Sequence, residues 1–294
     1  MPYILKNKNL EIHIDLPSEN YNASRFDWTG KIVNVKFQNV QLSSMESHNP
    51  QNEHQQGKGF YNEFGMDTAL GFDESVIGGW FHKIGVGLLK KTDSKYHCGK
   101  NYEIDPAKFK ISTESDTFII SCHSKTINGY SYVLKKEIVL QENNFTINYS
   151  LKNTGEKDII TDEYVHNFTL INKELIGCNY VLKFPFQLKP LRFIETVNPE
   201  KKVEIGQNAI KFNQSPKETF FFSNLSGSKN VDAQWELINR KSNIGISETG
   251  NFQTNKVNLW GGQHVISPEL FFNIAIQPGQ STQWSRSYNV YKVI

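Results

Sequence analysis

Apolar and polar residues alternate along most of the chain, and runs with the three-and-four spacing of an amphipathic helix are scarce. Successive side chains of an extended chain point to opposite faces, so each alternating run predicts a strand with one buried face. The predicted strands span residues 10–15, 21–27, 31–37, 117–125, 130–140, 145–151, 158–171, 178–186, 219–224, 231–238, 243–248, 270–276 and 283–292. The Asn143-Asn144 pair supplies a turn that joins two of these strands as a hairpin.

This number of strands predicts an all-β fold, a large antiparallel β-sandwich with one sheet left open and curved. No repeat, linker or shift in composition marks a domain boundary, so residues 1–294 are predicted to form a single domain. Residues 44–108 break the alternation because they are rich in glycine, turn-forming and aromatic residues. We predict a long, ordered loop insertion there, a kind of segment that often carries function.

Composition and charge exclude several classes of protein. The 294 residues include 32 Lys and Arg against 30 Asp and Glu, and this net charge of +2 gives no basic field for binding nucleic acid. No stretch approaches the roughly 20 apolar residues that span a bilayer, so no membrane partner is expected. The charged N-terminal residues do not resemble a signal peptide, and we expect a cytoplasmic location.

Sequence motifs narrow the chemistry further. Cys98, Cys122 and Cys178 have neither CxxC nor Cys/His spacing, which argues against disulfides and a zinc site and predicts reduced, buried thiols. The patterns GxxxxGK[ST], GxGxxG, GxSxG and HExxH are missing from the sequence. ATPase, dinucleotide-binding and serine hydrolase functions are therefore disfavoured.

Polar residues beside aromatic residues form the candidate sites. In DEYVHNF, residues 162–168, strand geometry places Tyr164 and His166 on one face and Glu163 and Asn167 on the other. A histidine in a strand is either a structural residue or a candidate acid–base group.

Two further clusters carry carboxylates. Glu269 follows Pro268 in residues 261–280 and is either a solvated rim residue or a positioned base. The glycine-rich loop carries charged and aromatic residues that suit sugar binding or a structural lid. These loop residues are Glu63, Asp67, Trp80, His82 and Lys83.

Three stretches of this chain resemble the aldose 1-epimerase (galactose mutarotase-like) superfamily. SPELFFNIAIQPGQSTQWSRSYNVY looks like the family's closing pattern, RFDWTGKIVNV like its opening hairpin, and EYVHNF like the strand that bears its histidine. The early loop lacks a clear His-Gly-Gly, and the middle motif reads HNF, so the resemblance is to a divergent branch. It implies a large antiparallel β-sandwich that acts on or binds carbohydrates.

The resemblance implies that Glu269 is the general base and His166 the general acid in interconverting the α and β anomers of a sugar. An ionised glutamate suits the base, and a neighbouring carboxylate such as Asp162 could raise the pKa of the histidine. This mechanism requires no metal and no organic cofactor. The implied partner is a small-molecule carbohydrate, free or phosphorylated.

Other residues are candidates for substrate binding, each with surface salt bridges or core packing as the alternative. Arg25 and Lys83 could bind hydroxyls or a phosphate, and Lys90 and Lys91 could converge with them on a phosphate. The remaining candidates are Trp80 and Trp260 for stacking, His82 and His264 as replacements for the missing loop histidine, and Glu63 and Asn167. A non-catalytic carbohydrate-binding protein of the same fold is the alternative function.

Overall fold

The structure is a computed structural model that describes residues 2–17, 19–47 and 50–293. Within these ranges it contains 24 strands, no α-helix and two 3-10 helices, Pro50–Gln55 and Pro190–Arg192. The strands are β1 (Tyr3–Lys6), β2 (Leu10–Asp15), β3 (Lys31–Phe37), β4 (Val40–Gln41), β5 (Phe60–Phe64), β6 (Trp80–Lys83), β7 (Gly87–Lys90), β8 (Ile104–Pro106), β9 (Lys108–Thr113), β10 (Thr117–His123), β11 (Tyr132–Gln141), β12 (Asn144–Asn153), β13 (Ile159–Asn167), β14 (Tyr180–Lys183), β15 (Thr196–Val197), β16 (Val203–Ile205), β17 (Ala209–Phe212), β18 (Phe220–Phe222), β19 (Val231–Asn239), β20 (Ile244–Thr254), β21 (Val257–Gly262), β22 (Val265–Leu270), β23 (Phe272–Ile276) and β24 (Ser281–Lys292). No helix of the described chain is long and apolar enough to cross a membrane.

Two large antiparallel sheets form the sandwich. The seven-stranded sheet has the order β1-β2-β3-β5-β13-β23, with β4 beside β3, and the ten-stranded sheet has the order β16-β17-β14-β19-β20-β24-β12-β11-β10-β9. Aromatic residues fill the space between them: the Phe60 ring centroid lies 5.0 Å from that of Tyr288 and 5.7 Å from that of Phe145. The predicted all-β sandwich is confirmed.

Two smaller sheets complete the fold. One has the order β15-β18-β21-β22, and the other the order β6-β7-β8. The chain just after β13 bridges to β22 between Thr169 and Ile266, which places the four-stranded sheet at one end of the seven-stranded sheet. Lys83 at the end of β6 bonds Glu63 in β5, so the three-stranded sheet borders the same region.

Most predicted strands are present, and the hairpin of β11 and β12 pairs from Tyr132↔Asn153 to Gln141↔Asn144. Residues 21–27 are not a strand. Their alternation arises in a folded loop, where the Tyr21 hydroxyl accepts hydrogen bonds from the backbone N–H groups of Arg25 (3.1 Å) and Phe26 (2.9 Å).

The segment 44–108 is more regular than the sequence predicts, because it contributes β5 to β8. Strand β5 lies between β3 and β13 in the seven-stranded sheet, and all five of its residues are buried. A strand covered on both faces shows no alternation of polarity, which explains why the pattern missed it.

All three cysteines are free, as predicted, but only one of them is fully buried. Cys122 lies in the core, Cys98 is partly exposed, and Cys178 is exposed. The expectation that all three are buried is therefore wrong. Cys178 lies just before the short strand β14, where its thiol reaches the Asn213 carbonyl oxygen at 2.9 Å.

A buried polar network links the two large sheets. Arg286 of β24 donates from Nη1 to Glu248 Oε1 (2.6 Å) and from Nη2 to Glu163 Oε2 (2.8 Å). Glu163 also accepts hydrogen bonds from Trp284 Nε1 (3.0 Å) and from Asn62. The side chains of Arg286, Glu163 and Glu248 are completely buried, so their charges depend on one another for compensation.

We expect Arg286→Ala to lower the free energy of unfolding by about 3 to 5 kcal/mol, because it leaves two buried carboxylates without their cation. The control is Lys90→Ala, which removes a partly exposed ion pair with Glu103 and should cost about 1 kcal/mol or less. Urea unfolding at neutral pH measures both. Equal losses in the two variants would contradict the assignment of the network as a stabilising link.

Candidate active site

His166 and Glu269 meet where β13 and β22 diverge. The backbones of Thr169 and Ile266 bond each other in both directions (3.0 and 3.1 Å), and the strands separate beyond that bridge. His166 Nε2 lies 3.4 Å from Glu269 Oε1, and the two side chains are only 4% and 5% exposed. The two residues that the family resemblance implies as catalytic are therefore in contact.

Aromatic side chains surround the histidine. Phe168, two residues along the chain, stacks on the His166 ring with the centroids 4.0 Å apart. The ring of Trp260 in β21 is nearly perpendicular to the His166 ring, with the centroids 5.1 Å apart, and the Phe26 centroid lies 6.1 Å from that of His166. His166 Nδ1 and the Ser267 hydroxyl are both buried and have no hydrogen-bond partner among the described residues.

Burial controls the protonation of the pair. It raises the pKa of Glu269 to about 8, opposed by Arg25 and by a hydrogen bond from Asn258 and reinforced by Glu63. Burial and the nearby Arg25 cation lower the pKa of His166 well below its ordinary value. The pair therefore holds a single proton at neutral pH, and that proton rests on the carboxyl group.

The expected role of Asp162 is wrong. Asp162 forms an ion pair with Lys256 (3.1 Å), and the pKa of His166 is lowered, not raised. The Lys256 ammonium lies 4.0 Å from the ring centroid of Phe271, which stacks on Tyr164 with centroids 4.5 Å apart.

Glu63 organises the polar side of the site. Tyr164 donates its hydroxyl to Glu63 Oε2 (2.7 Å), and Arg25 Nε donates to the same oxygen (2.9 Å). Lys83 Nζ lies 3.3 Å from Glu63 Oε1 and donates to the Tyr96 hydroxyl at 2.8 Å. Burial alone would raise the pKa of Glu63, but Arg25 and Lys83 lower it below its ordinary value.

Arg25 connects this cluster to the protein surface. Its Nη1 donates to Glu46 Oε1 (2.9 Å), and its side chain is 23% exposed. Glu46 Oε2 accepts the backbone N–H of Gly57, where a Cβ would approach Phe168 to 2.4 Å, so only glycine allows this close packing. Arg25 and Glu46 also line a cavity of about 240 Å³, together with Cys98.

Three of the predicted binding residues lie beside the pair, namely Arg25, Glu63 and Trp260. A fourth, Lys83, bonds Glu63. His264 lies in the turn between β21 and β22, where its carbonyl oxygen accepts a hydrogen bond from the Ser44 hydroxyl (2.7 Å).

Three predicted residues point elsewhere. Strand alternation turns Trp80 and His82 away from the face that carries Lys83, and His82 Nε2 lies 3.1 Å from the Tyr130 carbonyl oxygen. Burial lowers the pKa of His82 to about 4. Asn167 faces the interior of the sandwich, where it bonds Glu248 and the Pro268 carbonyl oxygen. Substrate contact by these three residues is not supported.

Sequence reasoning missed several residues of the site, namely Glu46, Tyr96, Tyr164, Asn258 and Phe271. Tyr164 had a usable signal, because alternation places it on the same face as His166. Glu46 and Tyr96 lie in irregular chain, where no periodicity indicates direction.

A larger groove of about 390 Å³ lies on the outer face of the ten-stranded sheet. Polar side chains such as Lys135, Glu137 and Asn148 line it, and it contains no contacting acid–base pair. The His166–Glu269 contact is therefore the stronger candidate for chemistry.

No family model and no curated protein matches this chain. Solved structures do match over nearly the full length. The galactose mutarotase related enzyme from Lactobacillus acidophilus is 11% identical, with a TM-score of 0.61 and coverage of 100% of this chain and 98% of that chain. The galactose mutarotase-like protein from Lactobacillus casei ATCC 334 is 10% identical, with a TM-score of 0.59 and coverage of 99% and 100%. The GalM/aldose epimerase homologue from C. elegans is 12% identical, with a TM-score of 0.55 and coverage of 100% and 99%.

The chain therefore has the galactose mutarotase-like fold, and the predicted resemblance is confirmed at the level of structure.

We expect Glu269→Gln to be more stable than the wild type at about pH 8, with a difference that shrinks towards pH 4.5. Between the ordinary pKa of 4.5 and the folded value of about 8, the unfolded chain releases this proton and the folded chain keeps it. The stability of the wild type therefore falls as pH rises through that window, and the amide variant lacks this loss. Thermal unfolding across the pH range measures the difference.

The control for this prediction is Glu236→Gln, which should be less stable than the wild type at neutral pH. Glu236 is partly buried, but Tyr291 and Lys183 lower its pKa, so its carboxylate stabilises the fold at neutral pH. A Glu269→Gln variant with a pH-independent stability difference would contradict the raised pKa of Glu269.

Proposed function

We propose that this protein is an aldose 1-epimerase-like isomerase that interconverts the α and β anomers of a sugar through Glu269 and His166. The observation that carries the proposal is the buried 3.4 Å contact between these two side chains. A fold shared with galactose mutarotase-like structures supports the same reaction class.

Mutarotation needs one base and one acid. The base removes the proton from the anomeric hydroxyl while the acid protonates the ring oxygen, so the bond between C1 and the ring oxygen breaks. The open aldehyde rotates about C1–C2 and recloses by the reverse transfers. One proton moves from one oxygen to another and nothing is oxidised or reduced, so paired acid–base groups are sufficient.

In this proposal Glu269 is the base and His166 the acid. Because the free pair keeps its single proton on Glu269, that proton must pass to His166 when the sugar binds. A sugar hydroxyl that donates a hydrogen bond to the Glu269 carboxylate would favour this ionised form. Displacement of Arg25 by the sugar would also remove one cause of the lowered pKa of His166. The total number of protons on the pair does not change in this step.

A sugar must reach the His166–Glu269 pair, whose side chains are buried. Arg25 is partly exposed and belongs both to the Glu63 cluster and to the neighbouring cavity. Trp260 is also partly exposed and offers an aromatic face beside His166 for the apolar face of a sugar ring. We propose that the sugar enters by displacing these two side chains.

We expect the wild type to accelerate anomer exchange of at least one free aldose at neutral pH. Glu269→Gln and His166→Asn should each lower kcat by about 10²-fold or more, because each removes one partner of a two-proton exchange. Proton exchange spectroscopy of a panel of hexoses and pentoses measures the rates. His123→Asn, a change at a partly buried histidine that bonds Ser121 outside the site, is the control and should leave the rate unchanged.

Saturable sugar binding without acceleration by the wild type would contradict the enzyme and favour the non-catalytic carbohydrate-binding protein. If the wild type neither binds any sugar nor accelerates its anomer exchange, both functions are contradicted.

The charges around the pair favour a neutral sugar over a sugar phosphate. Arg25 is bonded to two carboxylates, Lys83 to Glu63, and Lys256 to Asp67 and Asp162. Lys90 and Lys91 do not converge on the site: Lys90 bonds Glu103, and Lys91 bonds the Phe72 carbonyl oxygen (2.8 Å). A phosphate would have to break such a pairing and leave a carboxylate uncompensated.

We therefore expect a higher kcat/KM for a free hexose than for its 6-phosphate. Glu46→Gln frees Arg25 from one carboxylate and should narrow this preference, while Glu236→Gln on the distant β19 should not alter it. The same exchange measurement with matched sugars tests both variants. A wild-type preference for the 6-phosphate would contradict the assignment of a neutral substrate.

A further inference from the structure

Strand β22 pairs with β21 on one side, and on its other side the carbonyl groups before and after Glu269 are held by side chains. Beyond the Thr169–Ile266 bridge, Asn167 Nδ2 donates to the Pro268 carbonyl oxygen at 2.7 Å. Arg286 Nη2 donates to the Leu270 carbonyl oxygen at 2.8 Å. On this side of β22 these two hydrogen bonds take the place of a paired strand.

The same two side chains are also fixed to the strand that carries His166. Asn167 is the next residue along β13. Arg286 Nη2 donates to Glu163 Oε2 in the same strand at 2.8 Å. The backbone around His166 and the backbone around Glu269 therefore share two partners.

Glu248 anchors both of these partners from the ten-stranded sheet. Its Oε2 accepts hydrogen bonds from Asn167 (3.0 Å) and Trp235 Nε1 (2.6 Å), and its Oε1 accepts from Arg286 (2.6 Å). All four side chains are fully buried. Fully buried side chains with several hydrogen bonds have few alternative conformations. They can therefore set the distance between the backbone around His166 and the backbone around Glu269.

We infer that Asn167 and Arg286 are positioning residues that hold Glu269 against His166 through the Pro268 and Leu270 carbonyl groups. The role in catalysis rests on the proposed function, but the positioning itself does not. Both side chains are fully buried inside the sandwich. Acid–base geometry tolerates little error, because a displacement of about 1 Å can cost about 10²-fold in rate.

The first test compares Asn167→Ala with Trp235→Phe. Each variant removes one donor to Glu248 Oε2, but only Asn167→Ala releases the Pro268 carbonyl group. We expect Asn167→Ala to lower kcat for anomer exchange by about 10- to 100-fold with little change in KM. Trp235→Phe should leave kcat within a few-fold of the wild type. Thermal unfolding of both variants separates this effect from a general loss of stability.

The second readout is independent of activity. Carbon NMR of labelled glutamate carboxyl groups, assigned with Glu269→Gln, follows the titration of Glu269. In Asn167→Ala the pKa of Glu269 should fall from about 8 towards its ordinary range, because the freed carboxyl group can turn towards water. In Trp235→Phe the titration should match that of the wild type.

Arg286→Lys provides a second variant in case Asn167→Ala does not fold. Lysine keeps the charge but cannot bond Glu163, Glu248 and Leu270 in one plane, so kcat and the titration should change as in Asn167→Ala. If the wild type has no epimerase activity, the proposed function fails and the titration alone decides the positioning. An unchanged Glu269 titration in the folded variants, or a loss of kcat equal to that of Trp235→Phe, would overturn the inference.

Discussion

The guanidinium group of Arg286 lies between two large sheets with no access to water, and the arrangement of the sandwich depends on its two carboxylate partners. Glu163 belongs to the seven-stranded sheet, whereas Glu248 and Arg286 belong to the ten-stranded sheet. Moving such charges out of water costs several kcal/mol each, and only close pairing offsets that cost. An alignment of the two sheets that separated these three groups would leave unpaired charges in the core. The interaction therefore selects one alignment of the sheets, and that alignment fixes where β13 faces β22.

That alignment explains how the His166–Glu269 pair can lie at the edge of a well-packed core. Strands that stay paired would leave no room for His166 and Glu269 between them, and strands that separate would expose backbone carbonyl groups. Asn167 and Arg286 satisfy those carbonyl groups from inside the sandwich, so the strands can diverge while the region stays dry. Dryness in turn raises the pKa of Glu269 and lowers that of His166. The network that stabilises the fold thus also sets the chemistry of the pair.

Alternation predicted the sandwich, most strands and the faces of β13 because most strands have one covered face and one polar face. The same rule failed for β5, which is covered on both faces, and for residues 21–27, where a loop imitates a strand. The resemblance to the aldose 1-epimerase superfamily implied His166 and Glu269 as a catalytic pair, but periodicity could not show that they touch. The sequence could not show that Asn167 and His82 bond interior groups, because the local pattern gives the side on which a residue lies and not what covers that side. The partners of Arg25 and Lys83 come from distant loops and depend on tertiary structure alone.

Access to the pair follows from the charges around Glu63. If Arg25 moves to admit a sugar, Glu63 keeps a hydrogen bond from Tyr164 (2.7 Å) and the ammonium group of Lys83 (3.3 Å). Opening therefore does not leave that buried carboxylate without a cation, and its cost is smaller than that of breaking an isolated buried ion pair. Arg25 already bonds Glu46 beside the cavity that both residues line, so it would keep that partner on moving away from Glu63. Because Glu63 has two cations, one buried and one partly exposed, the proposed site could open without unfolding the sheet beneath it.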